Sequence, residues 1–419
     1  MPSNNTKHKQ GIYTFFSRLL RYRFTVMGRF MLAMGIVLIL LGSYTIIPTF
    51  ILYCLGFFYI LIFFLSPFIG RLSLPQLDAG IKIPFRTSSG STVREKITLK
   101  NKTGRNAYFI FVREENLPEE ISPGESEGVM VPLLKKGEEI DLTLNLFMKK
   151  RGNYSLESIY IETSFPLGIV KTGYPVKRKR NILAYPSFTP ILHLNIPAGM
   201  RLQPGGIALA SKVGESTEFI GTREFRDGDS PRHIHWKSWA RFNKPIVKEF
   251  QEEYFCRIAL FIDTFVPKGS PPKDYDAFES SLSLAASISD YLERQEYIID
   301  IIAAGPDIYY LQAGRALAYL DQILDILACL DVCRDRPYSR IEPHLMEELS
   351  GISTVIVLLL DWDDERRDFL NRIKEMGIEI RIFIIANDRE GKDIAQIEDI
   401  FGSVTLLDSK RISMGFDEL

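Results

Sequence analysis

Charge is missing altogether between Phe30 and Gly70, and the residues before that stretch include no acidic side chain. A run of that kind excludes an ordinary soluble domain at the N-terminal end. Cysteine is scarce as well. Cys54, Cys256, Cys329 and Cys333 are scattered without a paired framework, which argues against a disulfide-stapled secreted fold. Cys329 and Cys333 lack a second pair or a histidine cluster nearby, so they read as buried reduced thiols and not as a zinc site. Histidine is limited to His8, His193, His233, His235 and His344. None of these lies in a recognisable catalytic motif and no nucleophile–base pair stands out, so the chain reads as a non-enzyme. The net charge of −1 provides no one-signed field for nucleic acid. The glycine-rich stretch 202–215 lacks the Gly-Lys-Ser/Thr ending of a phosphate-binding loop and reads as a flexible loop.

What the uncharged run does contain is two lengths of lipid-compatible helix. About 20 apolar residues span the ~30 Å hydrocarbon core, and residues 30–47 and 50–69 each fit, with Pro48 and Thr49 at the turn. A cleaved signal peptide would have a shorter apolar core and a small-residue cleavage site, and neither is present. Lys7, Lys9, Arg18, Arg21, Arg23 and Arg29 precede the pair and Arg71 follows it. Cytoplasmic flanks are enriched in such cations, so a two-pass hairpin in the cell membrane is expected, with both termini cytoplasmic. Gly28, Gly35 and Gly42 recur every seven residues on one face, where close packing near Gly56 is expected.

Beyond the hairpin the pattern divides three ways. Residues 71–190 alternate apolar and polar side chains in short runs such as 94–101, 107–114, 139–150 and 155–164, separated by Pro, Gly and Asn clusters. That pattern predicts an antiparallel sandwich or barrel. The basic run 177–180 reads either as a solvated loop or as a contact with anionic lipid. Residues 191–256 are irregular. From 257 to 419, nearly continuous apolar runs alternate with helical stripes, which predicts a doubly wound α/β domain with a mostly parallel sheet.

The densest chemistry lies in residues 216–253. Arg223, Arg226, Arg232, Lys237, Arg241, Lys244 and Lys248 are interleaved with a similar number of carboxylates and with Trp236, Trp239, Phe219 and Phe225. Balanced charge suits a paired network better than a one-signed patch. Asp227-Gly228-Asp229 is a turn signal. His233 and His235 would share a face if they lay on a strand, yet no third ligand stands at fixed spacing, and a satisfied surface or interface pair is expected.

This segment resembles the signature of the bacterial family called domain of unknown function 58. The resemblance runs through Glu218-Phe219, Arg223-Glu224-Phe225, Gly228-Asp229, Arg232, Ile234, Trp236-Lys237, Ala240-Arg241 and Val247-Lys248-Glu249. It extends upstream through RGNYSLESIYIETSFPLGIV and ILAYPSF and covers nearly the whole chain, departing at Ser164, where Asp is more usual. On this resemblance, Arg223, Asp229, Arg232, His235, Trp236, Lys237 and Arg241 are the candidate binding residues. It also implies a C-terminal domain similar to the von Willebrand factor A fold, which often holds a divalent metal through Asp-x-Ser-x-Ser plus a later Thr and Asp. Here Asp263-Thr264-Phe265-Val266-Pro267 replaces both serines, so Asp263, Thr264 and Asp361 form at most a degenerate Mg²⁺ site, and no cofactor is expected. The implied partners are the lipid bilayer and a MoxR-type AAA+ ATPase, with the chain as a membrane-anchored adaptor or scaffold. Two alternatives remain open: an enzyme using the Asp227, Asp229, His233 and His235 cluster, and a metal-dependent binding domain.

Overall fold

The computed structural model describes residues 23–44, 49–124, 126–197, 219–226, 229, 231–250, 257–295, 297–304, 308–312, 319–334, 338, 349, 352–385, 397–398, 400–402, 404–416 and 418–419. The 202–215 stretch, Asp227, Gly228 and the cations before Arg23 lie outside them. The chain divides into two compact units, Met1–Tyr185 and Pro186–Leu419. It is mixed α/β, with several sheets and two apolar helices near the N-terminus.

The first unit begins with α1 (Val26–Tyr44) and α2 (Thr49–Leu72). Both are long and apolar enough to cross a membrane. They start and end somewhat beyond the uncharged run, so Arg29 and Arg71 lie within the helices. Their outer faces carry bare Phe30, Leu40, Phe57, Leu61 and Phe64, an apolar belt that water would penalise. Glycine sets the contact between them. A β-carbon on Gly35 would sit 3.2 Å from the Gly56 carbonyl oxygen, and one on Gly56 only 2.7 Å from Ile39. Gly42 faces the Tyr53 ring, but Gly28 turns elsewhere, against the Ile169 carbonyl.

That last contact belongs to a junction with the β structure that follows. Thr25 donates its backbone N–H to Ile169 O (3.0 Å) and its hydroxyl to Gly168 O (2.5 Å), and Lys171 N–H donates to Arg23 O (2.8 Å). Phe24 stacks on Phe63 at 4.3 Å. Past α2, the Tyr174 hydroxyl accepts from Leu77 N–H (2.8 Å) and donates to Pro75 O (3.0 Å). The hairpin is therefore tied to the β structure at both of its ends.

Nine strands follow: β1 (Leu77–Lys82), β2 (Arg86–Ser88), β3 (Thr92–Asn101), β4 (Ala107–Glu115), β5 (Ile121–Pro123), β6 (Val129–Leu134), β7 (Glu139–Met148), β8 (Gly152–Thr163) and β9 (Thr172–Tyr185). They form sheets β1-β3-β7-β5 and β2-β9-β8-β4-β6. All pairs are antiparallel except β2–β9. Alternation puts Ile97, Leu99, Leu142 and Leu144 of one sheet against Ile110, Val112, Ile159 and Ile161 of the other. The basic run 177–180 is not a loop: it lies on β9. Its last residue is drawn inward because Arg180 donates to buried Glu95 on β3 and, at 3.0 and 3.1 Å, to Glu114 on β4. Burial, then the neighbouring Glu114 carboxylate, push Glu95 up to about 9 against the pull of Arg180.

In the second unit, β10 (Phe219–Glu224) and β11 (Ile246–Phe250) pair antiparallel, with the short helix α3 (Trp236–Phe242) between them. The larger sheet is made of β12 (Arg257–Ile262), β13 (Ile298–Ala304), β14 (Ile308–Gln312), β15 (Thr354–Leu359), β16 (Glu379–Ile385) and β17 (Val404–Leu407). Its order is β14-β13-β12-β15-β16-β17, parallel throughout except for the edge hairpin β13–β14. The connecting helices are α4 (Pro272–Arg294), α5 (Tyr319–Cys329) and α6 (Asp364–Glu375), with α7 (Ser409–Met414) at the end. Central strands are buried on both faces, as continuous apolar runs require. Phe369, Leu370 and Ile373 of α6 pack with Phe261, Val355, Val357 and Ile382. The buried stripe of α4 (Phe278, Leu282, Ala285, Leu292) packs on the same sheet and shares no residue with that cluster. The chain direction across the sheet reverses between β12 and β15, which makes the carboxyl ends of these strands the topological switch point where such sheets generally bind ligands.

Candidate functional site

Two places carry the candidate residues: the segment between β10 and β11, and the strand ends at the reversal. In the first, Arg223 on β10 donates two parallel bonds to Asp229, at 2.7 and 2.8 Å, and Arg226 N–H donates to the same carboxylate at 2.8 Å. These bonds hold Asp229 down at about 2, with the Arg223 contact the largest cause. Lys244 pairs with Glu224 at 3.1 Å. Phe225 N–H donates to Pro245 O and His235 N–H to Ile246 O, so both ends of the excursion are stitched to the ribbon. His233 and His235 are not on a strand. Pro231–His233 is a 3-10 turn, and His235 stands at the N-terminus of α3, its Nδ1 2.6 Å from Ser238 Oγ. The two rings therefore do not share the strand face that the spacing suggested.

Helix α3 ends at Asn243, whose left-handed backbone (φ 54°) lets its N–H return to Trp239 O at 2.9 Å. None of the helix's residues is buried. Trp236 stacks on Trp239 at 5.3 Å yet remains 66% exposed, and Phe242 is 60% exposed under the Arg241 guanidinium. Arg232, Lys237 and Arg241 are exposed alongside them. Of the sequence candidates, then, Arg223 and Asp229 form an internal clamp and His235 lies at the start of α3. Arg232, Trp236, Lys237 and Arg241 form an outward surface. Asp227 lies outside the described residues.

At the reversal, Asp263 ends β12 and is buried. Its Oδ2 accepts from Arg366 Nε (2.9 Å), Arg366 Nη2 (2.7 Å) and Leu360 N–H (3.1 Å), and its Oδ1 from Phe265 N–H (3.0 Å). Arg366 is 2% exposed, also binds Asp363 at 2.6 Å, and lies over the rings of Tyr338 and Phe265. Asp363 caps α6 by accepting Arg366 N–H at 2.9 Å. Burial, with the Asp263 charge, pushes the Tyr338 hydroxyl well above its ordinary value. The Thr264 hydroxyl is buried and without a hydrogen-bond partner among the described residues. Asp361 is exposed and accepts from Trp362 N–H at 2.8 Å.

This donor set does not fit a hard divalent cation. Such an ion needs about six oxygens, and a guanidinium already neutralises the one buried carboxylate. No group of three His, Cys, Asp or Glu side chains with metal-binding geometry occurs among the described residues. Arg366 and Tyr338 are the residues sequence reasoning missed. A signal for Arg366 existed: it falls on the same helical face as Phe369 and Ile373, where an exposed arginine has no place.

Comparison with known proteins adds little. No family model matches the chain. It is 23% identical over 207 residues to the uncharacterized protein YeaD of Bacillus subtilis (strain 168), covering 48% of each. The chain thus spans about half the length of the curated relative it matches. Among solved structures, the CARDB domain of a Pyrococcus furiosus protein is similar over 26% of this chain and 95% of its own, at 17% identity and a TM-score of 0.19. A FixG-related protein from Vibrio parahaemolyticus matches over 26% of this chain and 98% of its own, at 10% identity and a TM-score of 0.19. Similarities at that level carry no argument about this chain.

Proposed function

We propose that this chain is a member of the domain of unknown function 58 family and acts as a membrane-anchored adaptor or scaffold for a MoxR-type AAA+ ATPase. The hairpin of α1 and α2 crosses the membrane twice, and the cations before α1 and at Arg71 keep both termini in the cytoplasm. The second unit is a von Willebrand factor A-like domain, a reading supported by its strand order and the reversal beside β12.

One observation carries the adaptor reading: the resemblance segment leaves two large aromatic side chains exposed. Bare Trp236 and Phe242 beside Arg232, Lys237 and Arg241 have the composition of an interface anchor, in which Trp, Tyr and Arg dominate. Within the same segment, Asp229 is poorly suited to acid–base catalysis. A carboxylate held near 2 by a guanidinium stays ionised at neutral pH, far from the pKa a general acid or base needs.

The test is affinity isolation of the detergent-solubilised protein from its native cells, with and without ATP, beside a Trp236→Ala/Phe242→Ala variant. Recovery of an AAA+ ATPase by the parent and its loss with the variant would support the reading. Equal recovery by both, or recovery of no ATPase, would end it.

A further inference from the structure

The junction described above decides which end of the β sandwich faces the hairpin. Strand β8 ends there at Thr163, β9 begins at Thr172, β1 begins at Leu77 opposite Asn101, and β4 and β6 meet as Ala107↔Leu134 and Tyr108↔Leu133. Three large apolar side chains are exposed at that end. Leu167, next to the Gly168 and Ile169 carbonyls that hold Thr25, is exposed, and so are Leu133 and Phe109. Phe165 stacks on Tyr108 at 4.8 Å, which joins Leu167 to the β4–β6 edge in one rim. Phe109 is 50% exposed although its backbone has a φ of 49°. That conformation is strained for a bulky residue, and here the strain holds a phenylalanine in the open.

The loops beside the rim carry more cations than carboxylates, although Glu138 lies among them and accepts from Lys135 N–H at 2.7 Å. Asn101 Nδ2 donates to Arg105 O (2.9 Å), Leu134 O (3.1 Å) and Lys135 O (3.2 Å), and Lys136 N–H donates to Asn106 Oδ1 (3.1 Å). Two loops are thereby knit into one tip, on which Arg105, Lys135 and Lys136 are exposed.

We propose that this end of the sandwich is a membrane-interface surface, with its apolar rim set into the headgroup boundary and Arg105, Lys135 and Lys136 on anionic headgroups. The inference rests on the hairpin crossing the membrane. If it does, the rim lies where the helices leave the bilayer, and tyrosine, exposed apolar residues and cations are the composition that boundary selects.

The test uses the full chain reconstituted into vesicles containing phosphatidylglycerol, with lipids brominated either near the headgroup or deep in the acyl chains. Single tryptophans are introduced as Phe109→Trp and Leu167→Trp, with Ser155→Trp on the far end of β8 and Phe57→Trp on the outer face of α2. Native tryptophans add the same background throughout. Residues roughly 5–10 Å into the headgroup boundary should lose emission to the shallow bromines, Phe57→Trp to the deep ones, and Ser155→Trp to neither. Charge reversal at Arg105, Lys135 and Lys136 together should weaken the shallow quenching. If Phe57→Trp is quenched and neither Phe109→Trp nor Leu167→Trp is, the surface proposal fails with the anchor intact. If Phe57→Trp also escapes, the membrane reading itself fails.

Discussion

Glu95, Glu114 and Arg180 place two carboxylates and one guanidinium between the sheets of the β sandwich, with Glu95 fully enclosed. Burial first, and then the Glu114 carboxylate that the single cation leaves unneutralised, push Glu95 up to about 9, so that it keeps its proton at neutral pH. Because an acid whose pKa is higher folded than unfolded binds more protons in the native state, stability must fall as pH rises between the two values. The window opens near the unfolded value, about 4.3, and closes near the folded one. Each pH unit inside it is worth at most ~1.4 kcal/mol, so between pH 5 and 7 this group alone removes about 2–3 kcal/mol. Glu95→Gln keeps a neutral donor toward Glu114 and an acceptor toward Arg180 but cannot titrate. The variant should therefore gain on the parent by that amount over the same interval. Denaturant unfolding of the detergent-solubilised proteins at pH 5, 6, 7 and 8 measures the difference. Parallel stability curves for the two would refute the shared-proton argument.

Arg366→Met should destabilise the second unit by roughly 3–5 kcal/mol, because it leaves Asp263 buried and uncompensated; its melting temperature reports this. Millimolar Mg²⁺ should leave the parent's melting temperature unchanged, whereas specific binding to the native state would raise it. Gly56→Leu should cost on the order of 1–3 kcal/mol through overpacking against Ile39 and Gly35, read as a lower melting temperature in detergent. Asp229 lies below its ordinary value, so its contribution is present at neutral pH and lost as pH falls from about 4 towards 2. Hydrogen exchange at the Arg226 amide should accelerate over that interval, and exchange independent of pH beyond the intrinsic rate would contradict the clamp.

Much of the fold was legible because its elements are periodic. Alternation in residues 94–101 and 139–150 became β3 and β7, and the continuous apolar run 353–361 became β15. What periodicity could not convey is which charges point inward. Glu95 lies in phase with Val93, Ile97 and Leu99, on the core side of β3, but a single carboxylate among apolar neighbours has no meaning until its partner is known. That partner, Arg180, sits 85 positions away in a basic run that reads as a surface. The same holds for Asp263 and Arg366, separated by 103 positions. The strand-end aspartates read as at most a degenerate cation site, and although Arg366 is in phase with Phe369 and Ile373, the fold was needed to show that its guanidinium takes the cation's place. A long-range ion pair can mark each member by its phase, as Glu95 and Arg366 are marked, but leaves no local trace of which residue is the partner.

The resemblance segment shows a second case, in which balanced charge was read as a paired network and two of its pairs lie among the described residues. Arg223 is committed to Asp229 and Lys244 to Glu224, and these pairs close the excursion between β10 and β11. Helix α3 is too short to be stable alone and buries none of its side chains, and the clamp and the two backbone bonds at Phe225 and His235 tie the segment around it to the ribbon. Two of its aromatic rings, on Trp236 and Phe242, stay exposed, and an exposed ring contributes little to folding. That exposure makes sense if the gain comes on contact with another protein. It follows that Arg223→Lys, which keeps the charge but loses the two-pronged geometry, should weaken partner binding while leaving the melting temperature of the second unit nearly unchanged. Equal binding by the parent and this variant would mean that the surface of α3 does not depend on the clamp, and the division of labour argued for these residues would be wrong.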